Sequence, residues 1–230
     1  MTRVLLVKLC FVLDCTGSMD PWIEAAKTKM QETVRTVQDQ HPHTLIEVAL
    51  VAYRDYGDLI RFRVFDFGEA SVLEDRMRDL RAEGGDDTAE DVAGAFKRAT
   101  ELEWNPADIR MLFHITDAPA HGLQFHPIHI SDRFPRGDPD GIDPLALLRR
   151  WARLGYDYTF VKITTKTDLM LDVFFKTYAE ASQGGEGFHV IDLRRQHYDH
   201  VLGDPEETMA DLLSPAVSRA VTQRISSQGR

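Results

Sequence analysis

The chain has 230 residues, 43% of them hydrophobic, enough for a substantial core in one α/β domain. Its 37 acids outnumber its 27 bases for a formal charge of −10, and no basic stripe breaks that balance, which argues against nucleic acid as the main partner. No apolar run approaches the ~20 residues of a membrane span, and the two cysteines, Cys10 and Cys15, read as reduced thiols of an intracellular, cytoplasmic protein.

Val4 to Leu13 is an aliphatic and β-branched run without helical period, and reads as a buried strand. Preceded by "MTR", it imitates a signal peptide. Lys8 interrupts the run, however, no small-residue cleavage site follows, and cleavage near residue 15 would remove Asp14. The spacing then turns helical: Ile23, Ala26, Met30, Val34 and Val37 form one stripe, with Asp20 and Pro21 suited to a first turn. Thr44–Asp55 is a second strand, and Ile60–Phe67, alternating with period two, pairs with it through the turn "YGD". Ser71–Arg81 is a short helix and "EGGDD" a glycine-acid loop. Thr88–Trp104 is helical, with Val92, Phe96, Ala99 and Leu102 on one side.

Ile109–Pro119 is a strand that runs into Asp117. The segment 118–141 is long and rich in proline, glycine and histidine, and loops of that length in compact domains are functional or mobile. Asp143–Gly155 is a helix with Asp143 as cap and Gly155 as stop. The strand "YDYTFVKIT", the helix "DLMLDVFFKTYAEAS" and the strand "GFHVIDL" follow. "PEETMADLLSPAVSRAVTQ" reads as a last helix, bent or divided at Pro215, before a frayed end.

Strands and helices thus alternate, apart from one hairpin. The pattern predicts an α/β fold: a doubly wound, mostly parallel sheet with one antiparallel edge hairpin and helices on both faces. It is read as a single domain over 1–222, with 223–230 a disordered tail. Ligands of such sheets bind at the carboxyl ends of the strands. Three features meet on that rim: Asp14-x-Thr16-x-Ser18, the "GGDDT" loop, and Asp117. Carboxylates, hydroxyls and water suit a hard cation such as Mg²⁺. The bland reading of the first motif is a helix cap. His114, His121, His126 and His129 fit no standard zinc-ligand spacing; His114 falls in a strand, and the others read as a solvated loop or a lid over the rim.

Taken in order, "LDCTGSMDPWI", "YRDYGD", "GGDDTAEDVAGA", "FHITDAPAHG" and "FPRGDPDGIDP" resemble a von Willebrand factor type A (VWA) domain, most of all the one that accompanies alpha-type protein kinases. The resemblance spans residues 3 to about 220 and implies a VWA/Rossmann-like fold. It also implies a metal-ion-dependent adhesion site (MIDAS) holding Mg²⁺ or Mn²⁺. Asp14, Thr16 and Ser18 would be the first ligand loop and Asp117 the strand-end acid. A protein partner would complete the metal shell through an acidic side chain. Such sites usually carry threonine directly after Gly-Gly; here Asp86 stands there, followed by Asp87 and Thr88. Position favours Asp86 or Asp87 as ligand. Three carboxylates would then leave the loaded site at about −1 and less welcoming to an acidic partner, whereas Thr88 would restore neutrality.

The implied role is binding, not catalysis, and no kinase catalytic domain is evident in the fewer than about forty residues after the last strand. The alternative is a Mg²⁺-dependent phosphotransferase or phosphatase of haloacid dehalogenase type, with Asp14 as nucleophile. "DCTGSM" resembles the Asp-Lys-Thr-Gly-Thr signature of P-type ATPases. Cys15 stands where that signature has lysine, and "TDAPAHG" supplies one acid without its expected second.

Overall fold

The structure, a computed structural model, describes residues 4–182, 184, 186–193, 215, 218, 219, 222 and 223. The expected last helix and the tail fall largely outside the described residues. Six strands form one sheet: β1 (Leu5–Asp14), β2 (Thr44–Tyr53), β3 (Phe62–Gly68), β4 (Ile109–Thr116), β5 (Asp157–Lys162) and β6 (Phe188–Asp192). Their order is β3-β2-β1-β4-β5-β6, parallel throughout except for β3, which runs antiparallel to β2. The doubly wound fold and its edge hairpin are therefore as the pattern of elements predicts.

The parallel strands are apolar on both faces because both faces are covered. Val7, Leu9, Phe11 and Leu13 of β1 share a core with α1 (Asp20–Gln40) and α2 (Ala70–Met77). The predicted stripe of α1 lies wholly in that core. Cys10 and Val12 point the other way, into a core built with α3 (Val92–Thr100), α4 (Pro144–Arg153) and α5 (Asp168–Ala181). Lys8, the charge in the central strand, is buried but satisfied. Its Nζ donates to Glu103 O at 2.5 Å and pairs with Glu47 at 3.3 Å.

His114 of β4 lies fully buried between two phenols, with Nε2 3.1 Å from Tyr53 OH and Nδ1 2.8 Å from Tyr158 OH. Burial lowers its pKa to about 3, so the ring is neutral and structural.

Two elements depart from expectation. The β2–β3 connection runs from Arg54 to Arg61, longer than a tight turn, and is closed by Arg54 N–H donating to Arg61 O at 2.9 Å. The helix expected from Thr88 starts only at Val92. Thr88 and Ala89 N–H both donate to Ser131 O, and Glu90 N–H donates to Pro119 O at 2.9 Å, so residues 88–90 are bonded to the 118–141 loop instead. Asp91 then caps the helix, accepting from Gly94 N at 2.7 Å. Tertiary bonds to a distant loop outweigh the helical period here.

Phe96 of α3 packs against His114, Trp151, Tyr158 and Phe174 at ring distances of 4.9–6.0 Å. Phe96→Ala is expected to destabilise the fold by about 3–5 kcal/mol, read as a lower urea midpoint at unchanged m-value.

Candidate functional site

The strand order reverses between β1 and β4, whose following helices leave to opposite faces. A crevice opens at that switch point, at the carboxyl ends of both strands. β1 delivers Asp14 to it and β4 delivers Asp117, one residue past Thr116. A short 3-10 turn, Gly17–Met19, carries Ser18 across the crevice before α1 begins.

Asp14 is fully buried. Its Oδ1 accepts from Thr16 Oγ1 at 2.7 Å and from Thr16 N–H at 3.0 Å. Ser18 Oγ donates to Asp117 Oδ1 at 3.0 Å. Both hydroxyl protons are thus committed to carboxylates, which leaves the hydroxyl lone pairs free to meet a cation. Thr116 Oγ1 lies 3.0 Å from Asp14 Oδ2 and 2.8 Å from Ala118 O, and its one proton can serve only one of them. Burial, then the charge of Asp117, raises the Asp14 pKa to about 7. A proton on Oδ2 would resolve the competition at Thr116.

The glycine-acid loop lies along the motif. Gly17 N–H donates to Gly84 O at 3.1 Å and Glu83 N–H to Cys15 O at 3.0 Å. Gly85 has φ +80°, and a Cβ there would sit 3.0 Å from Glu90 Oε1 and 3.1 Å from Thr16 Cβ. The glycine is what lets Glu90 close against Thr16. Glu90 is buried, its Oε2 has no hydrogen-bond partner, and its pKa is pushed up to about 11 by burial and then by Asp14, Asp55 and Asp58.

Asp86 and Asp87 lie elsewhere. Asp86 is exposed and pairs with Arg133 at 3.1 Å. Asp87 accepts from Arg133 N–H at 2.5 Å and faces Asp55 and His121. The acid beside Thr16 is Glu90, which the helical reading of 88–104 concealed; the signal available was an acid at the head of an otherwise apolar face. Asp14, Thr16, Ser18 and Asp117 are brought together.

The donor set fits a hard dication: oxygens only, one of them an orphaned buried carboxylate oxygen, with acids crowded closely enough to retain protons. It does not suit a phosphoryl-accepting nucleophile, because Asp14 is fully buried and its Oδ1 already takes two hydrogen bonds. Cys15 is a free thiol turned into the core beneath α1, and burial raises its pKa far above the reactive range.

A raised carboxyl pKa stabilises the fold at low pH. For Asp14 that contribution is complete below its ordinary 3.8 and is lost as pH rises through about 7. In chelator, Asp14→Asn should therefore gain stability relative to wild type between pH 4 and pH 8. A gain above about 1 kcal/mol is expected at pH 8, since one pKa unit is worth ~1.4 kcal/mol. Urea unfolding at the two pH values reads it, and a pH-independent difference would refute the assignment.

Residues 8–127 match the family model described as von Willebrand factor A domain. An alpha-protein kinase, vwkA, of Dictyostelium discoideum is 35% identical over 189 residues, which is 81% of this chain and 30% of the kinase. An ariadne-like RING finger protein, R811, of Acanthamoeba polyphaga mimivirus is 28% identical over 133 residues, 56% of this chain and 12% of that protein. This chain therefore spans less than a third of either relative. Among solved structures, the SpRpn10 VWA domain aligns at TM-score 0.53 and 11% identity, covering 89% of this chain and 94% of its own. The pilus adhesin SpaC of Lactobacillus rhamnosus GG, in its open conformation, aligns at 0.59 and 12%, covering 95% and 30%. At such identities the likeness is one of fold.

Proposed function

This chain belongs to the von Willebrand factor A domain family, a family of protein-interaction modules, and from that premise we propose that it binds a protein partner through a metal ion. It is a non-enzymatic module whose MIDAS-type site holds Mg²⁺ (or Mn²⁺) at the β1/β4 switch point. Asp14, Thr16, Ser18 and Asp117 are the proposed ligands. The observation that supports this most is the pairing of each hydroxyl with a carboxylate, Thr16 with Asp14 and Ser18 with Asp117.

Glu90, rather than Asp86 or Asp87, is proposed as the third acid of the site. Burial and the charges of Asp14, Asp55 and Asp58 raise its pKa to about 11 in the metal-free chain, so an ion that takes Glu90 as a ligand displaces its proton. An acidic side chain of the partner would complete the shell at the vertex the chain leaves open. When bound, the ion supplies an electrophilic point on the rim; the chain's own residues hold and orient it.

The 35% identical relative is an alpha-protein kinase, and we propose that this module serves alongside an alpha-type kinase domain. A cytoplasmic setting is part of the proposal, supported by two free buried thiols. Among the described residues no helix is long and apolar enough to cross a membrane.

Titration with Mg²⁺ or Mn²⁺ should give a binding heat in the wild type and none in Asp14→Ala. Saturating Mg²⁺ should raise the melting temperature of the wild type alone, by about 2.7 kcal/mol of added stability at a hundred times the Kd. Partners captured in Mg²⁺ should be released by EDTA. A wild type without metal heat would overturn the reading.

A further inference from the structure

The histidines of the 118–141 loop read from the sequence as part of a solvated loop or of a lid over the rim; two of them, His121 and His126, are buried among acids. His121 Nδ1 is 2.8 Å from Asp132 Oδ1, and its Nε2 is 2.7 Å from Asp55 Oδ1. His126 Nε2 is 2.9 Å from Asp132 Oδ2. Gly122 and Phe134 N–H also donate to Asp132, at 2.8 and 2.7 Å, so that carboxylate is saturated. Phe134 stands edge-on to the His121 ring at 5.0 Å, and the ring of Tyr56 lies at 5.9 Å.

Asp55 and Asp87 are not saturated. Asp55 is fully buried, and its Oδ2 has no hydrogen-bond partner. Asp87 is half-buried, and its Oδ1 is likewise enclosed without a donor. The two carboxylates face one another, and burial together with this contact raises the Asp87 pKa. Asp87, His121 and Asp132 each offer a ligand atom within 4.8 Å of the others. A buried carboxylate oxygen left without a donor carries a desolvation penalty that a bound cation would offset. Arg133 does not relieve it: its guanidinium goes to Asp86 and only its backbone N–H reaches Asp87.

We propose that Asp55, Asp87 and His121 form a second cation site, distinct from the switch-point site, that takes a nitrogen-accepting dication such as Zn²⁺. The ligand atoms are Asp55 Oδ2, Asp87 Oδ1 and His121 Nε2. Asp132 accepts from His121 Nδ1–H, fixes the tautomer and orients the ring. Three protein ligands leave a fourth position for water, the arrangement of an open tetrahedral zinc site. One imidazole with two carboxylates selects Zn²⁺ or Mn²⁺ over Mg²⁺. Burial alone would lower the His121 pKa, but bonds and charges from Asp55 and Asp132 outweigh it and raise it. The ion would join the β2–β3 connection, the glycine-acid loop and the long loop, three segments otherwise held by hydrogen bonds. Residue spacing could not reveal this site, because its ligands are 32 and 34 positions apart (55, 87, 121) and only one is a histidine.

The test is Zn²⁺ uptake by chelator-stripped protein in excess Mg²⁺. Wild type and Asp14→Ala should each retain one equivalent. Asp87→Asn should weaken uptake ~100-fold or more, and X-ray absorption at the zinc edge should show one nitrogen among oxygen neighbours. Asparagine at 87 preserves the acceptor for Arg133 N–H, so this variant keeps the loop bonded where His121→Gln would not. Absence of uptake by wild type would overturn the proposal. Uptake lost in Asp14→Ala but kept in Asp87→Asn would equally overturn it, by assigning the ion to the switch point. Failure of the switch-point reading has a separate signature, the missing Mg²⁺ heat.

Discussion

Where β1 and β4 stop decides everything on the rim. The two strands run parallel, with Leu13 beside Ile115, so their last residues emerge side by side. Because α1 packs on one face of the sheet and the 118–141 loop on the other, a crevice opens between them. Asp14 and Asp117 meet there although 103 positions separate them in the chain. A carboxylate at the end of either strand alone would cap a turn. Side by side, the charge of Asp117 adds to burial in raising the Asp14 pKa, Thr16 donates its hydroxyl to Asp14, and Ser18 donates its own to Asp117.

The glycine-acid loop adds to this pressure. Gly84 and Gly85, both at positive φ, bend the chain tightly enough to bring Glu90 against Thr16. Glu90 interacts with Asp14 on one side and with Asp55 and Asp58 on the other. The rim thus carries a band of closely placed acids, consistent with the chain's excess of negative charge. Protons, hydrogen bonds and cations are interchangeable ways of neutralising it, so proton occupancy and cation occupancy compete along the band.

The long loop is ordered by the same means. It has no helix or strand, but Asp132 gathers four donors, and Tyr56 reaches Asp138 at 2.6 Å and Asp140 at 3.0 Å. Its histidines were invisible as a site in the linear pattern because each neighbours glycine, proline or isoleucine rather than another ligand. Their partners Asp55 and Asp87 belong to other loops.

Local pattern alone determined the elements and their alternation: β-branched runs covered on both faces, an apolar stripe with the period of α1, capping Asp143 and terminating Gly155. It also determined that Asp14, Thr16 and Ser18 would share one turn, since alternate positions after a strand end stay together whatever surrounds them. Tertiary structure decided the rest. Which acid of "GGDDTAED" reaches the motif depended on residues 88–90 bonding to the long loop instead of starting a helix, and that turned Glu90 inward and Asp86 out to Arg133. The physical reason is range: periodicity records what a residue does with neighbours up to a few positions away, whereas a carboxylate's role is set by the charges, donors and burial that distant segments bring to it.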